Sequence, residues 1–233
     1  MDETRPTSHG LPRVLEPEVM DAVEDAVEYD SMDHSEVNRR FVDDLIAAGY
    51  AGGTTLDLAA GTALIPIEIA KRFQEAKIWA IDLAVQMLYL ARNNLEIAGI
   101  PQRVRLDRQD AKALTFPDGF FESVISNSLF HHLAEPGSAF RESLRVAQPG
   151  ALLFHRDLLR PESEADVSRL VDLYGGDATP YQRQLFDQSL RAALTLDEVR
   201  QMAAAEGFSH DSVQATSDRH WTFTGRKGST QES

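Results

Sequence analysis

Thr54-Thr55-Leu56-Asp57-Leu58-Ala59-Ala60-Gly61-Thr62-Ala63-Leu64 decides the fold. Its first half is an apolar run with β-branched residues, which reads as a buried strand. A turn of small residues follows. Ile65 to Phe73 then repeats its apolar residues at helical spacing, with Lys71 and Arg72 in the last turn. Strand, small-residue turn and helix form the layout of a nucleotide-type site. Small side chains let a ligand approach the backbone, and the helix start offers unpaired N–H groups.

Asp57 is an acid at the end of a buried strand, which costs free energy unless it is paired. A cationic ligand would pair it; so would a capping role in the turn. The next apolar run, Lys77-Ile78-Trp79-Ala80-Ile81-Asp82, also ends in an acid. Asp82 stands 21 residues after Gly61. An acid there is where a dinucleotide fold grips ribose hydroxyls.

Composition narrows the field. The 233 residues make one large domain, or one domain with a cap, and 42% hydrophobic content is enough for a core. There is no cysteine, hence no disulfide and no thiolate metal site, which agrees with a reducing cytoplasm. No apolar run is long enough for a membrane span. The net charge of −14, without a basic stripe, disfavours a nucleic-acid substrate.

The organisation expected from the chain is a tail over 1–14, helices over 15–50, a main domain over 51–226 with added helices at about 161–194, and a tail over 227–233. Ser35 reads as the N-cap of a helix from Glu36 to Ala48. Ala84 to Ala98 is a crossover helix, Val104 to Asp107 a short third strand and Phe121 to Asn127 a fourth. Pro136 to Ala147 is helical, and Ala151 to Phe154 is a fifth strand. Ligands sit outside strand C-terminal ends in such a sheet, so Asn127 and His131 should face the reaction region. Adjacent side chains diverge on a strand or helix, so His131 and His132 should point apart, and no third zinc ligand stands at a usual spacing. No metal site is expected. Arg156 and Arg160 leave the fifth strand and could meet an anionic substrate or pair with nearby acids. Glu162 to Leu194 is helical with a break at Tyr174-Gly175-Gly176, a cap over the cleft or else a homodimer face. The last two strands should be an antiparallel pair.

Asp57-Leu58-Ala59-Ala60-Gly61-Thr62-Ala63 resembles the D-x-G-x-G-x-G motif of class I S-adenosylmethionine-dependent methyltransferases. Ala80-Ile81-Asp82-Leu83 through Met87-Leu88 resembles that family's acidic second motif and the helix after it. The likeness runs from about Asp57 to Arg160, and more loosely beyond; Ala59 and Ala63 replace two motif glycines. The resemblance implies a doubly wound Rossmann-like α/β fold, a seven-stranded sheet in the order 3-2-1-4-5-7-6 with the last strand antiparallel. It implies S-adenosyl-L-methionine as cofactor, held by Asp57, Ala59, Gly61, Thr62, Asp82, Leu83 and Met87, by an Asp110-Ala111 turn at the adenine, and by Asn127. The N-terminal helices become lids, with Tyr29 and Met32 toward the cofactor. Methyl transfer to a small-molecule acceptor is an in-line displacement that needs alignment more than a dyad. His131 and Tyr29 are the candidates for a base or an orienting group, and Arg156, Arg160 and Tyr174 are the acceptor-side candidates. A nicotinamide-dependent oxidoreductase fits less well, because G-x-G-x-x-G would need glycine at Ala59 and Leu64. A cofactor-binding protein without turnover is the third reading.

Overall fold

The computed structural model describes residues 10–16, 35–176 and 178–228. Its parallel core is made of strands that read as near-continuous apolar runs, as strands covered on both faces must. In chain order, helix α1 (Ser35–Ala47) precedes strand β1 (Thr54–Leu58), α2 (Leu64–Arg72), β2 (Lys77–Asp82), α3 (Val85–Ile97), β3 (Val104–Arg108) and β4 (Phe121–Asn127). A 3₁₀ turn (Phe130–His132) leads to α4 (Pro136–Val146) and β5 (Ala147–Leu158). Helices α5 (Glu164–Tyr174), α6 (Pro180–Ala192) and α7 (Leu196–Ala205) follow, then β6 (Val213–Ala215) and β7 (His220–Arg226).

The seven strands lie in the order β3-β2-β1-β4-β5-β7-β6. The first five pair in parallel, and β7 runs antiparallel to both β5 and β6. The chain moves outward through β2 and β3, then returns to the other side of β1. The C-terminal ends of β1 and β4 therefore flank the point where strand order reverses, the place where such sheets open a crevice.

Each face of the sheet has its own core. Leu56, Leu58, Phe121, Phe140, Trp221 and Phe223 belong to one cluster, and Phe41, Leu45, Ile69, Ile78, Ile125 and Phe154 to the other. The helices carry local start signals. Thr179 and Thr195 each form a capping box with the residue three along, Gln182 and Glu198, and Ser163 caps α5 through the Asp166 N–H.

β5 is longer than its apolar run suggested. It continues through His155, Arg156 and Asp157 to Leu158, all buried; β4 pairs with it as far as Arg156 and β7 as far as Leu158.

Candidate functional site

The turn after β1 is built on left-handed backbone. Ala59, Gly61 and Ala63 have φ of 53°, 55° and 62°. A Cβ on Gly61 would meet nothing within 4 Å, so the turn faces open space there. Asp82, at the tip of β2, fastens this turn from the side. Its Oδ2 accepts from the Gly61 N–H at 2.9 Å and its Oδ1 from the Ala84 N–H at 2.9 Å. Gln109, at the tip of β3, donates its N–H to the Asp82 carbonyl.

Asp57 lies behind the turn, level with Ala80 on one neighbour strand and Ile125 on the other. Only 2% of it is exposed, and its Oδ2 has no hydrogen-bond partner. Burial, and then the charge of Asp82, push its carboxyl well above the usual range. Burial also raises Asp82, against the opposing N–H groups of Ala84, Gly61 and Leu83. An orphaned buried carboxylate beside a second acid fits a cationic nucleoside. The residues present thus suit S-adenosyl-L-methionine.

A cleft of about 750 Å³ opens over this edge of the sheet. Of the residues expected at the cofactor, Ala59, Gly61, Asp82, Leu83 and Met87 line it, as do Asp110, Ala111 and Asn127. Asp110 accepts from the Lys112 N–H at 2.8 Å and has that residue's ammonium at 3.3 Å. Asp57 and Thr62 are buried and do not line the cleft; the Thr62 carbonyl accepts from Asn94 on α3. They support the turn from behind. Tyr29 and Met32 lie outside the described residues. Ser128, which the sequence did not single out, lines the cleft with φ of 61°. Nothing in its residue type signals that backbone; the signal is its place just past a strand tip.

The 3₁₀ turn after β4 is organised by a buried carboxylate. Asp157 Oδ2 accepts from the N–H groups of Phe130 and His131, and its Oδ1 is 2.5 Å from His131 Nδ1. That bond places the hydrogen on Nδ1 and leaves Nε2 turned the other way. The expectation that His131 and His132 diverge fails here. A 3₁₀ turn is neither strand nor α-helix, and the two rings sit 4.0 Å apart, 37° from parallel. Both face Glu16, whose Oε1 is 3.4 Å from His131 Nε2 and 2.7 Å from His132 Nδ1.

Glu16 lies in the stretch expected to begin the N-terminal helices, and nothing in its local sequence marks it for the site. The contact that matters spans most of the chain, and no local pattern announces it. Arg13 holds its segment in place, donating to the carbonyls of Ala192, Phe130, His131 and Leu133. Burial works against the charged forms in this cluster, but the pairings outweigh it. His131 is raised by Asp157 and Glu16, and Asp157 is lowered mainly by His131. Glu16 is lowered by its contact with His132 and by the charge of His131. His131 lines the cleft, and its Nε2 faces the Glu16 carboxylate at 3.4 Å rather than an acceptor.

Of the three acceptor-side candidates, two stand at the cleft and one does not. Arg156 and Tyr174 line the cleft. Arg156 is already paired, with Asp44 at 2.8 Å and the Thr222 hydroxyl at 2.9 Å. Tyr174 donates its hydroxyl to Asp218, and the Arg219 guanidinium lies over its ring. Arg160 is a correction. Because β5 runs on to Leu158 and Leu159 bridges to Leu194, Arg160 is carried past the cleft and binds Glu198 and the Ala193 carbonyl.

A model of the methyltransferase domain matches residues 56–155, the span from β1 to β5 that builds this edge. The chain is 31% identical over 182 residues to the demethylmenaquinone methyltransferase of Thermus thermophilus, an alignment covering 73% of this chain and 80% of that enzyme. It is 29% identical over 143 residues to the ubiquinone/menaquinone biosynthesis C-methyltransferase of Hahella chejuensis, covering 59% of this chain and 55% of that enzyme; the match thus spans about half of that relative's length. A methyltransferase dependent on S-adenosylmethionine from Aquifex aeolicus has the same fold, with a TM-score of 0.64 at 18% identity over 88% of this chain and 98% of that one. Sheet order, the acid-fastened turn and these relatives agree: the chain belongs to the class I S-adenosylmethionine-dependent methyltransferases, and its cofactor is S-adenosyl-L-methionine.

Proposed function

We propose that this methyltransferase acts on a small organic acceptor with an apolar body, enclosed between the sheet edge and the helices α5 and α6. The observation that carries the reading is the continuity of one cleft. It runs from Asp82 past Asn127 and Ser128 to Tyr174 and Phe186 on those helices. A wall of this kind suits a molecule that enters whole. An extended polymer needs an open, charge-matched track, and the chain is acidic overall. The relatives are named for ubiquinone and menaquinone biosynthesis and for demethylmenaquinone, and a quinone acceptor is a small molecule, which supports the same class.

When bound, the cofactor supplies a methyl group already activated on a sulfonium. The protein's share is alignment and exclusion of water. In this reading Asp82 receives the ribose hydroxyls. Asp110 with the Ala111 N–H receives the adenine edge, and Asp57 offsets positive charge from behind the turn. Asn127 and Ser128 stand at the strand tip, where acceptor and methyl group would meet. Helices α5 and α6 close the acceptor side.

The test is transfer of label from methyl-tritiated cofactor to a panel of hydroxylated ring compounds, with bulk tRNA and casein as competing acceptors. Label in a small-molecule product, identified by mass spectrometry, supports the reading. Label only in RNA or protein contradicts it. Cofactor binding with no transfer to any of them would favour a role without turnover.

A further inference from the structure

We propose that Glu16, His131 and His132 form a binding site for a divalent transition-metal ion at the wall of the acceptor cleft. One ligand atom from each lies within 4.8 Å of the other two. Donors around a tetrahedral ion with bonds of about 2.0–2.1 Å stand roughly 3.3 Å apart. The separation of 3.4 Å between Glu16 Oε1 and His131 Nε2 meets that spacing. The third member, His132 Nδ1, lies 2.7 Å from the same oxygen, and opening that pair by about 0.6 Å would seat the ion.

The surroundings orient these donors as the outer shell of a metal site does. His131 gives its Nδ1–H to Asp157, which fixes the tautomer and leaves Nε2 as the ligand. Ser189 of α6 donates to Glu16 Oε2 at 3.1 Å and more weakly to Oε1 at 3.5 Å, which holds the carboxylate with Oε1 toward the two rings. Arg13 anchors the segment that brings Glu16 in, through carbonyls of the same 3₁₀ turn. Two histidines and one carboxylate leave coordination positions open, and the set suits Zn²⁺, Co²⁺ or Fe²⁺. His131 and His132 both line the cleft, so an acceptor oxygen could take an open position. Binding of the ion does not depend on the acceptor proposed above. Only its use by the acceptor does.

The experiment uses the full chain without a histidine tag, stripped with chelator, and titrates it with Zn²⁺ by calorimetry and with Co²⁺ by visible absorption. The expected result is one ion per chain, with Co²⁺ bands of a low-symmetry nitrogen–oxygen site. Glu16→Gln and His132→Ala should each weaken binding by at least about tenfold, and Asp157→Asn by about 10–100-fold, the effect of an outer-shell partner. Binding of S-adenosylhomocysteine to each variant shows that the fold and the cofactor cleft persist. If one variant does not fold, the other decides. Absence of stoichiometric binding to the wild-type chain, or wild-type affinity retained in Glu16→Gln and His132→Ala, overturns the proposal and leaves the cluster as an ion-paired latch. Neither result bears on methyl transfer, which the labelling assay reads separately.

Discussion

Ala59 holds left-handed backbone without the freedom of glycine, at φ of 53°. An L-residue there costs about 1–2 kcal/mol, while glycine gives back part of that through the unfolded chain. Ala59→Gly should therefore stabilise the apo protein by about 0.5–1 kcal/mol, a rise of roughly 1–4 °C in Tm for a chain of this size. Ala59→Val should lower stability by about 2 kcal/mol or more, since a branched Cβ is worse still in that region. Thermal unfolding checks both, and a Tm that falls in the glycine variant would show that the turn does not carry this strain. The motif was legible because a short run of small residues between an apolar run and a helix has few other readings. What the sequence left open was whether Asp57 binds directly. It does not reach the cleft wall. Its carboxyl and that of Asp82 are both raised, chiefly by burial. Folded-state values above the unfolded ones mean that the apo protein takes up protons as pH falls toward the carboxylate range. A cationic ligand favours the ionised acids, so cofactor affinity should fall as pH drops through that raised window. Asp57→Asn should flatten the dependence. Calorimetry from pH 7.5 downward measures it, and an equally steep profile in the variant would contradict the role given to Asp57.

At the scale of the element, β5 shows why part of the site escaped the sequence. Its apolar run stops at Phe154, and His-Arg-Asp reads as a polar exit from the strand. Those residues stay in the sheet because each finds support: Ser143 beside His155, Thr222 and Asp44 beside Arg156, and the turn N–H groups on Asp157. Long-range partners of this kind leave no periodic trace. The first four strands and the helices between them were legible because short apolar runs there alternate with stretches of helical spacing. The fate of Arg160 and the convergence of the two histidines were not, since one depends on the length of β5 and the other on a 3₁₀ turn. His155 offers a test of the buried-strand assignment. It is stacked among aromatic rings, and burial lowers its pKa to about 3. The folded value lies below the unfolded one, near 6.5, so the unfolded state binds the extra proton and stability falls as pH drops below about 6.5. Between pH 7 and pH 5 this one residue should cost about 2 kcal/mol. Urea unfolding of His155→Phe should show a loss smaller by that amount, and an unchanged pH slope would place the imidazole in water.

For the whole molecule, the account joins one sheet edge, one cleft and one cofactor. The crevice lies where strand order reverses, and three strand tips deliver Asp82, Gln109 and Asn127 to it. Among the described residues, no helix is long and apolar enough to cross a membrane. The net charge of −14 is in keeping with the small acceptor proposed above, since a polyanion would need a basic track. The most direct measurement is calorimetric titration of the wild-type chain and of Asp82→Asn with S-adenosyl-L-methionine at one pH and salt concentration. The account predicts a single site in the wild type and a loss of about 1–3 kcal/mol in the variant, the cost of an unmade charged hydrogen bond, or roughly 5–150-fold in Kd. Equal dissociation constants in the two proteins would contradict it.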